Sequence, residues 1–245
     1  MTLAIQTQNQ TITAWDIIPR LARYQMLPQL IAESIIDEAI ENIECSPEET
    51  ANACQQFYQQ NQLFTELQRQ TWAERHGMTQ ADIEELATRK LRIQKFKESN
   101  WGNGLDIYFL QRKPQLDKVI FSMIQVPDMG MAQEIYFRLQ EGEQSFAELA
   151  QQYSQGPQAE TEGKIGPVEC STLPLPLVNL IHSHQSGDLL PPFPMGNTAV
   201  VIRLEKLIQA ELDDLTRQRL INEKFQAWLK SQIKEQNYQV NNFLN

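Results

Sequence analysis

The run GEQSFAELAQQYS, residues 142–154, decides how the middle of the chain is interpreted. Gly142 is suited to ending a helix, because glycine adopts the left-handed backbone that helix C-termini favour. A second helix begins near Ser145, a good N-cap residue, and ends near Tyr153. The run therefore predicts two consecutive helices, over about 131–140 and 145–153.

Strand-length runs of β-forming residues lie on both sides of these helices. Residues 119–126 precede them, and residues 199–204 close the region. Residues 177–181 predict a short third helix. Two loops are predicted from glycine and proline: one around Gly156, Pro157, Gly163 and Gly166, and one from Gly187 through Pro191, Pro192, Phe193 and Pro194. The order predicts a compact β-α-α-α-β module.

Both flanks of this module have helical patterns. Capping residues mark helix starts at Thr13–Asp16, at Ser46 through Glu49, and at Thr79–Asp82. A long apolar helical pattern returns over about 212–233. We therefore predict an α+β protein, with a mainly helical domain from 1–116 plus 211–245 and an inserted module at 117–210.

Composition excludes several classes of protein. The 245 residues carry 31 acidic and 21 basic side chains, a net charge of -10, which disfavours a nucleic-acid binder. No apolar run approaches the roughly 18 residues needed to span a bilayer, so membrane insertion is not expected. The N-terminus has neither the basic nor the apolar region of a secretory signal, which predicts a cytoplasmic protein, or a periplasmic one if a leader has been removed.

Cysteines and histidines form no recognisable metal motif. Three cysteines without a CxxC pair predict reduced thiols, and Cys170 is expected to be inert. His182 and His184 have no carboxylate or cysteine at ligand spacing. We predict no metal and no cofactor.

One predicted helix carries a row of cations that admits two interpretations. The row consists of Arg89, Lys90, Arg92, Lys95 and Lys97. It could bind an acidic partner, or it could form a solvated face balanced by neighbouring glutamates. The second interpretation is favoured because Glu84, Glu85 and Glu98 are close in sequence.

The module resembles a parvulin-type (PpiC-like) peptidyl-prolyl cis/trans isomerase domain over about 118–207. The residues that carry the resemblance are the run 142–154, Glu162-Gly163-Lys164-Ile165-Gly166, Gly187-Asp188 and the closing strand. More weakly, the flanks resemble the helical domain of periplasmic SurA-like chaperone-isomerases, with Asn9 through Thr13 at a matching position. That resemblance implies a helical domain that binds extended chains and is completed by the last helix.

The resemblance implies an apolar proline pocket beside a polar catalytic cluster. The pocket candidates in this chain are Met123, Ile165, Leu173, Leu177 and Met195. The polar positions of the family fall on Met123, Gly156, Pro174, Asn197 and Val200. Since neither strand contains a histidine, we assign no catalytic residue. Alternatively, Met123, Leu173, Leu177 and Val200 are only the core of a module that serves as a spacer.

These observations predict a protein-folding factor that binds extended or proline-containing polypeptide, with isomerase activity weak or lost. Whether the chain is an enzyme stays open at this stage. One alternative is a non-enzymatic adaptor that docks a single export or maturation partner. Another is an active isomerase with an altered site. Unfolded or extended polypeptides are the expected partners, and nucleic acid is not.

Overall fold

The computed structural model describes residues 4–156 and 159–236. Backbone contacts divide the chain into two compact units, Met1–Leu105 with Arg217–Asn245, and Asp106–Thr216. The predicted domain boundaries at 117 and 210 lie inside the second unit. Within the described residues, no helix has both the length and the hydropathy needed to cross a membrane.

The first unit is almost entirely helical. Its elements are β1 (Ala4–Gln6), β2 (Thr11–Thr13), α1 (Ala14–Arg23), α2 (Leu27–Ile40), α3 (Pro47–Gln60), α4 (Glu66–His76), α5 (Gln80–Trp101) and most of α10 (Asp214–Glu235). The strands β1 and β2 pair as a small antiparallel hairpin. The predicted caps are confirmed. At Ser46, for example, the backbone N–H donates to Glu49 at 2.7 Å, and the Ser46 hydroxyl accepts from the Glu49 N–H at 3.2 Å.

The core of this unit joins residues far apart in the sequence. Ile35, Ile36 and Ile40 of α2 form one buried cluster with Phe225 and Leu229 of α10. Aromatic rings extend the cluster: Phe96, Trp101 and Trp228 all lie within 6.4 Å of the Phe225 ring, centroid to centroid. The last helix thus completes the core of the helical unit, because its apolar side chains are buried there.

Four cations of the row on α5 make internal contacts, and Lys90 is exposed: Arg89 pairs with Glu33 and Asp37, and Lys97 donates to Asn222. Arg92 donates to the carbonyl oxygens of Ile40 at 2.7 Å and Ile43 at 3.2 Å. Lys95 pairs with Glu49 at 2.5 Å. Since the last carbonyls of a helix lack partners within the helix, Arg92 stabilises the end of α2.

The second unit contains a four-stranded antiparallel sheet. Its elements are most of α6 (Leu105–Leu116), β3 (Lys118–Val126), α7 (Met129–Gln140), α8 (Phe146–Tyr153), β4 (Lys164–Glu169), a 3₁₀ turn (Cys170–Thr172), α9 (Leu175–Ser183), β5 (Leu189–Met195) and β6 (Thr198–Ile208). The strand order is β4-β3-β6-β5. The α+β class is confirmed. The order of elements in the module is β-α-α-β-α-β-β, whereas the predicted order was β-α-α-α-β.

Each of the two predicted loops contains an edge strand: Gly166 lies in β4, and Pro191 through Pro194 lie in β5, whereas Gly156, Gly163 and Gly187 are not in strands and Pro157 lies outside the described residues. Within the part of the chain that the structure describes, β4 pairs with β3 alone and β5 with β6 alone. The register of β5 shifts between Leu190 and Phe193, so Pro191 and Pro192 lie at the irregularity. An edge strand tolerates proline because one side of it needs no N–H donors. The proline run therefore misled a prediction based on turn propensity.

The two central strands separate two apolar faces. Side chains alternate along a strand, so Phe121 and Met123 point to one face while Ile124 and Val126 point to the other. We call the first the α9 face, because Leu177, Val178 and Ile181 of α9 pack on it. The second face packs on α7 and α8.

Asp117 joins the two chain segments at the end of the sheet. Its side chain is buried, and Oδ1 accepts from the Ala210 N–H at 2.7 Å and from the Lys113 ammonium at 3.1 Å. Its carbonyl accepts from the Cys170 N–H at 2.8 Å. One buried residue therefore connects the strand that enters the sheet with the segment that leaves it.

Candidate functional site

The α9 face brings all five predicted pocket residues into one cluster. Met123 comes from β3, Ile165 from β4, Leu173 from the turn before α9, Leu177 from α9 and Met195 from β5. These elements converge because β3 is central in the sheet and α9 crosses this face. The cluster is apolar and continuous, as a pocket for an apolar side chain requires.

Exposure separates the cluster into a floor and a rim. The floor is buried, with Met123 at 6%, Leu177 at 2% and Val200 at 0% relative exposure. Ile165, Leu173 and Met195 are only partly buried and form the rim. A ligand could contact the rim directly, whereas the floor supports it.

The five positions where the resemblance places polar catalytic residues are not all together. Met123 and Val200 lie in the cluster. Gly156 follows α8, Pro174 is the N-cap residue of α9, and Asn197 lies in the β5–β6 turn; all three are exposed. The contacts of the described residues therefore show an apolar floor and do not show a joined polar cluster.

A polar pair lies at one end of the α9 face, and the sequence analysis missed it. Gln125 Nε2 donates to Thr198 Oγ1 at 2.9 Å, and Thr198 Oγ1 donates to the Met195 carbonyl at 2.8 Å. Gln125 is the cross-strand partner of Val200. The available signal was alternation: Gln125 is two residues after Met123, and Thr198 is two residues before Val200, so all four share one face.

Backbone contacts hold Gln125 in place. Its N–H donates to Ser154 Oγ at 3.1 Å, and its carbonyl accepts from the Gln155 N–H at 2.8 Å. Ser154 ends α8, so the helix predicted from residues 142–154 fixes the end of β3. The polar end of the α9 face is thus held by two elements.

Two ionisable groups of the module, Cys170 in the cluster and Glu205 on β6, have shifted pKa values with structural causes. Burial raises the pKa of the Cys170 thiol to about 11, and the charges of Asp117 and Glu169 add to the effect. Burial alone would raise the pKa of Glu205, but hydrogen bonds from Ser122 and Arg203 outweigh it and hold this pKa below its ordinary value. Among the described residues, no group of three or more His, Cys, Asp or Glu could hold a metal.

The helical unit has a cleft of its own between α3 and α5. The cleft has a volume of about 570 Å³ and mixes amide with apolar side chains. Asn52, Gln56 and Gln94 supply the amides, and Phe57 and Leu86 supply apolar surface. Such a lining can contact both the backbone and the side chains of an extended polypeptide.

Comparison with known protein families identifies the module. Residues 129–206 match the family described as Rotamase: PPIC-type PPIASE domain. The chain therefore contains a PPIC-type peptidyl-prolyl isomerase domain, and the resemblance seen in the sequence is confirmed. The match begins after β3, so Met123 and Gln125 lie outside the matched residues. No curated protein matches the chain in sequence.

One of three similar solved structures shares the fold of most of the chain. Peptidylprolyl isomerase (PrsA) from Bacillus cereus superposes with a TM-score of 0.54 at 19% identity, covering 98% of this chain and 93% of that one. The parvulin domain of PpiD from E. coli gives 0.35 at 25% identity, covering 41% and 97%. A Campylobacter jejuni structure, described as showing that PEB4 and the periplasmic protein Cj1289 are SurA-like chaperones, gives 0.37 at 16%, covering 98% and 99%.

These similar structures do not support the cytoplasmic expectation. The description of the Bacillus cereus structure names no compartment. An expectation based on the first residues of a chain is fragile, because a leader can be removed from the mature protein.

Proposed function

We propose that this chain binds extended polypeptide segments and uses the α9 face of the module as a binding site. The observation that carries the proposal is the convergence of the five pocket candidates into one apolar cluster with a partly exposed rim. An apolar side chain of a client, including a proline ring, would rest on Ile165, Leu173 and Met195. Burial of apolar surface supplies the main driving force.

We also propose that isomerase activity is weak or lost. Rotation about an X–Pro bond crosses a barrier of roughly 20 kcal/mol, and catalysis needs groups that favour the twisted state over the planar ones. Of the five positions that the resemblance assigns to such groups, Met123 and Val200 lie on the floor and are buried and apolar, and the other three lie outside the cluster. Apolar groups in their place offer desolvation and shape but no hydrogen bond that strengthens in the twisted state, so we expect at most slow catalysis.

A protease-free isomerisation assay on an Ala-Pro peptide tests the activity. We expect a rate close to the uncatalysed one, with turnover far below that of an active parvulin measured alongside. Parvulin-like turnover would favour the alternative of an active isomerase with an altered site.

The helical unit is proposed to share the holding of clients. Its cleft between α3 and α5 supports this, since amide and apolar side chains both line it, together with Glu49 and Lys90. A panel of unrelated unfolded clients separates general holding from adaptor function. A holding protein suppresses the aggregation of several clients, whereas an adaptor binds one partner and ignores the rest.

Binding of a labelled peptide to Leu173→Glu tests the proposed site. The substitution places a charge on the rim, so we expect affinity to fall at least about tenfold, a loss of about 1.4 kcal/mol. Leu215→Glu is the matched control, because Leu215 is 81% exposed and outside the cluster. If Leu173→Glu binds the peptide as tightly as the wild type does, the binding site lies on the helical unit and not on the α9 face. Peptides with and without proline show whether proline is required.

We also propose that the protein is periplasmic. Fractionation of the cells that make the protein tests it. Recovery with cytoplasmic markers would reject this part of the account.

A further inference from the structure

The contacts of the Gln125 carboxamide determine which way it faces. Thr198 Oγ1 has a single hydrogen, which it donates to the Met195 carbonyl at 2.8 Å. It can therefore only accept from Gln125, so Nε2 of the amide faces Thr198 at 2.9 Å and Oε1 faces away. The orientation of this amide is thus fixed by Thr198.

The remaining bonding capacity of this amide has no partner among residues 4–156 and 159–236. The hydrogen bond to Thr198 uses one of the two Nε2 hydrogens, and Oε1 accepts nothing there. The side chain is only half-buried. It presents one free acceptor and one free donor at the end of an apolar cluster whose rim includes Met195.

We propose that Gln125 pairs with the backbone of the bound segment and thereby sets its position on the α9 face. This inference rests on the proposed function. Oε1 accepts from a backbone N–H of the ligand, and the free Nε2 hydrogen is available to a ligand carbonyl. The ligand class is therefore an extended polypeptide with a residue other than proline at the contacted position, next to an apolar residue on the rim. Thr198 is a positioning residue that acts through Gln125.

A series of N-methylated peptides tests the proposal. One binding peptide is made in versions that each lack a single backbone N–H, and each is titrated against the wild type and Gln125→Leu. In the wild type we expect one N-methylated position to weaken binding about three- to tenfold, the range for one hydrogen bond. Gln125→Leu should weaken the parent peptide similarly, and methylation at that position should then have no further effect.

Two variants of Thr198 add a control for folding. Thr198→Val removes the hydroxyl and should weaken binding about two- to threefold, a smaller loss than for Gln125→Leu because the amide stays but turns freely. Thr198→Ser keeps the hydroxyl and should bind as the wild type does. If Gln125→Leu does not fold, the wild-type series with these two variants still decides.

The outcomes separate this inference from the proposed function. Suppose that Leu173→Glu loses binding, but that at every position N-methylation weakens binding to Gln125→Leu by the same factor as binding to the wild type. The proposed role of Gln125 is then wrong, and the proposed binding site is still supported. If the wild type binds no peptide, or Leu173→Glu binds normally, both are wrong.

Discussion

Asp117 is the residue on which the ends of the module depend. Its carboxylate is buried and accepts from the Ala210 N–H and from Lys113. We expect Asp117→Ala to lower the free energy of unfolding by about 1–3 kcal/mol, because it leaves a buried donor without a partner. Urea denaturation measures the change. Asp106 is an exposed carboxylate at the start of α6, so Asp106→Ala should lower the free energy of unfolding by only a few tenths of a kcal/mol. Equal losses for the two variants would contradict the proposed role of Asp117.

Cys170 should be the unreactive thiol of the three. Burial raises its pKa from an ordinary 9.0 to about 11, so the thiol stays protonated in the folded state as pH rises past 9. In the unfolded state the thiol loses its proton at a lower pH than in the folded state. The free energy of unfolding therefore falls as the pH rises from about 9 to about 11, and below pH 9 this group does not change it. Alkylation at pH 8 followed by mass spectrometry should label Cys45 and Cys54, which are partly exposed, well before Cys170. Equal labelling of all three would be inconsistent with a buried Cys170.

At the residue scale, local signals predicted caps but could not show contacts. The Ser46–Glu49 capping box depends on residues three apart, so the sequence contains all of it. The pocket candidates required a family resemblance, because they come from five separate elements. The Gln125–Thr198 pair is 73 residues apart in sequence, and only the pairing of β3 with β6 brings it together.

Among the secondary-structure elements, Gly163 sets how closely β4 can approach β3. Its φ is +81°, and a Cβ would lie 3.0 Å from the Met123 carbonyl and 3.0 Å from the Phe146 ring. Gly142 has a similar φ of +69° with nothing within 4 Å of its Cβ position. In both alanine variants, backbone strain should lower the free energy of unfolding by about 1–2 kcal/mol. In Gly163→Ala, the new Cβ should also push against the Met123 carbonyl of β3.

Thermal unfolding of the two glycine variants compares these costs. We expect Gly163→Ala to lose at least about 1 kcal/mol more than Gly142→Ala, in line with the cost of overpacking. Equal melting temperatures would mean that the β3–β4 contact is looser than described.

The elements that prediction missed share one cause. β4 and β5 are edge strands containing glycine or proline, residues that typify turns when only local sequence is considered. Their identity as strands comes from the central partner, which supplies the hydrogen bonds. The central strands β3 and β6 were predicted, since their apolar β-forming residues suit burial on both faces.

At the scale of the whole molecule, tryptophan fluorescence reports on the helical unit alone. All four tryptophans, Trp15, Trp72, Trp101 and Trp228, belong to that unit. Phe225→Ala removes a buried ring from its core, so we expect the fluorescence transition to lose about 3–5 kcal/mol of stability. Phe64→Ala removes an exposed ring of the same unit and should change stability by less than about 0.5 kcal/mol. Similar losses for both would argue against the α2–α10 core.

The central claim is that polypeptide binds at the rim of the α9 face, and methionine-methyl NMR tests it most directly. Met195 lies on that rim, whereas Met78 lies between α4 and α5 in the helical unit and serves as the internal reference. Titration of an apolar, proline-containing peptide into the methyl-labelled protein should shift the Met195 resonance in a saturable manner and leave Met78 unchanged. Binding that shifts Met78 while Met195 stays fixed would contradict the account.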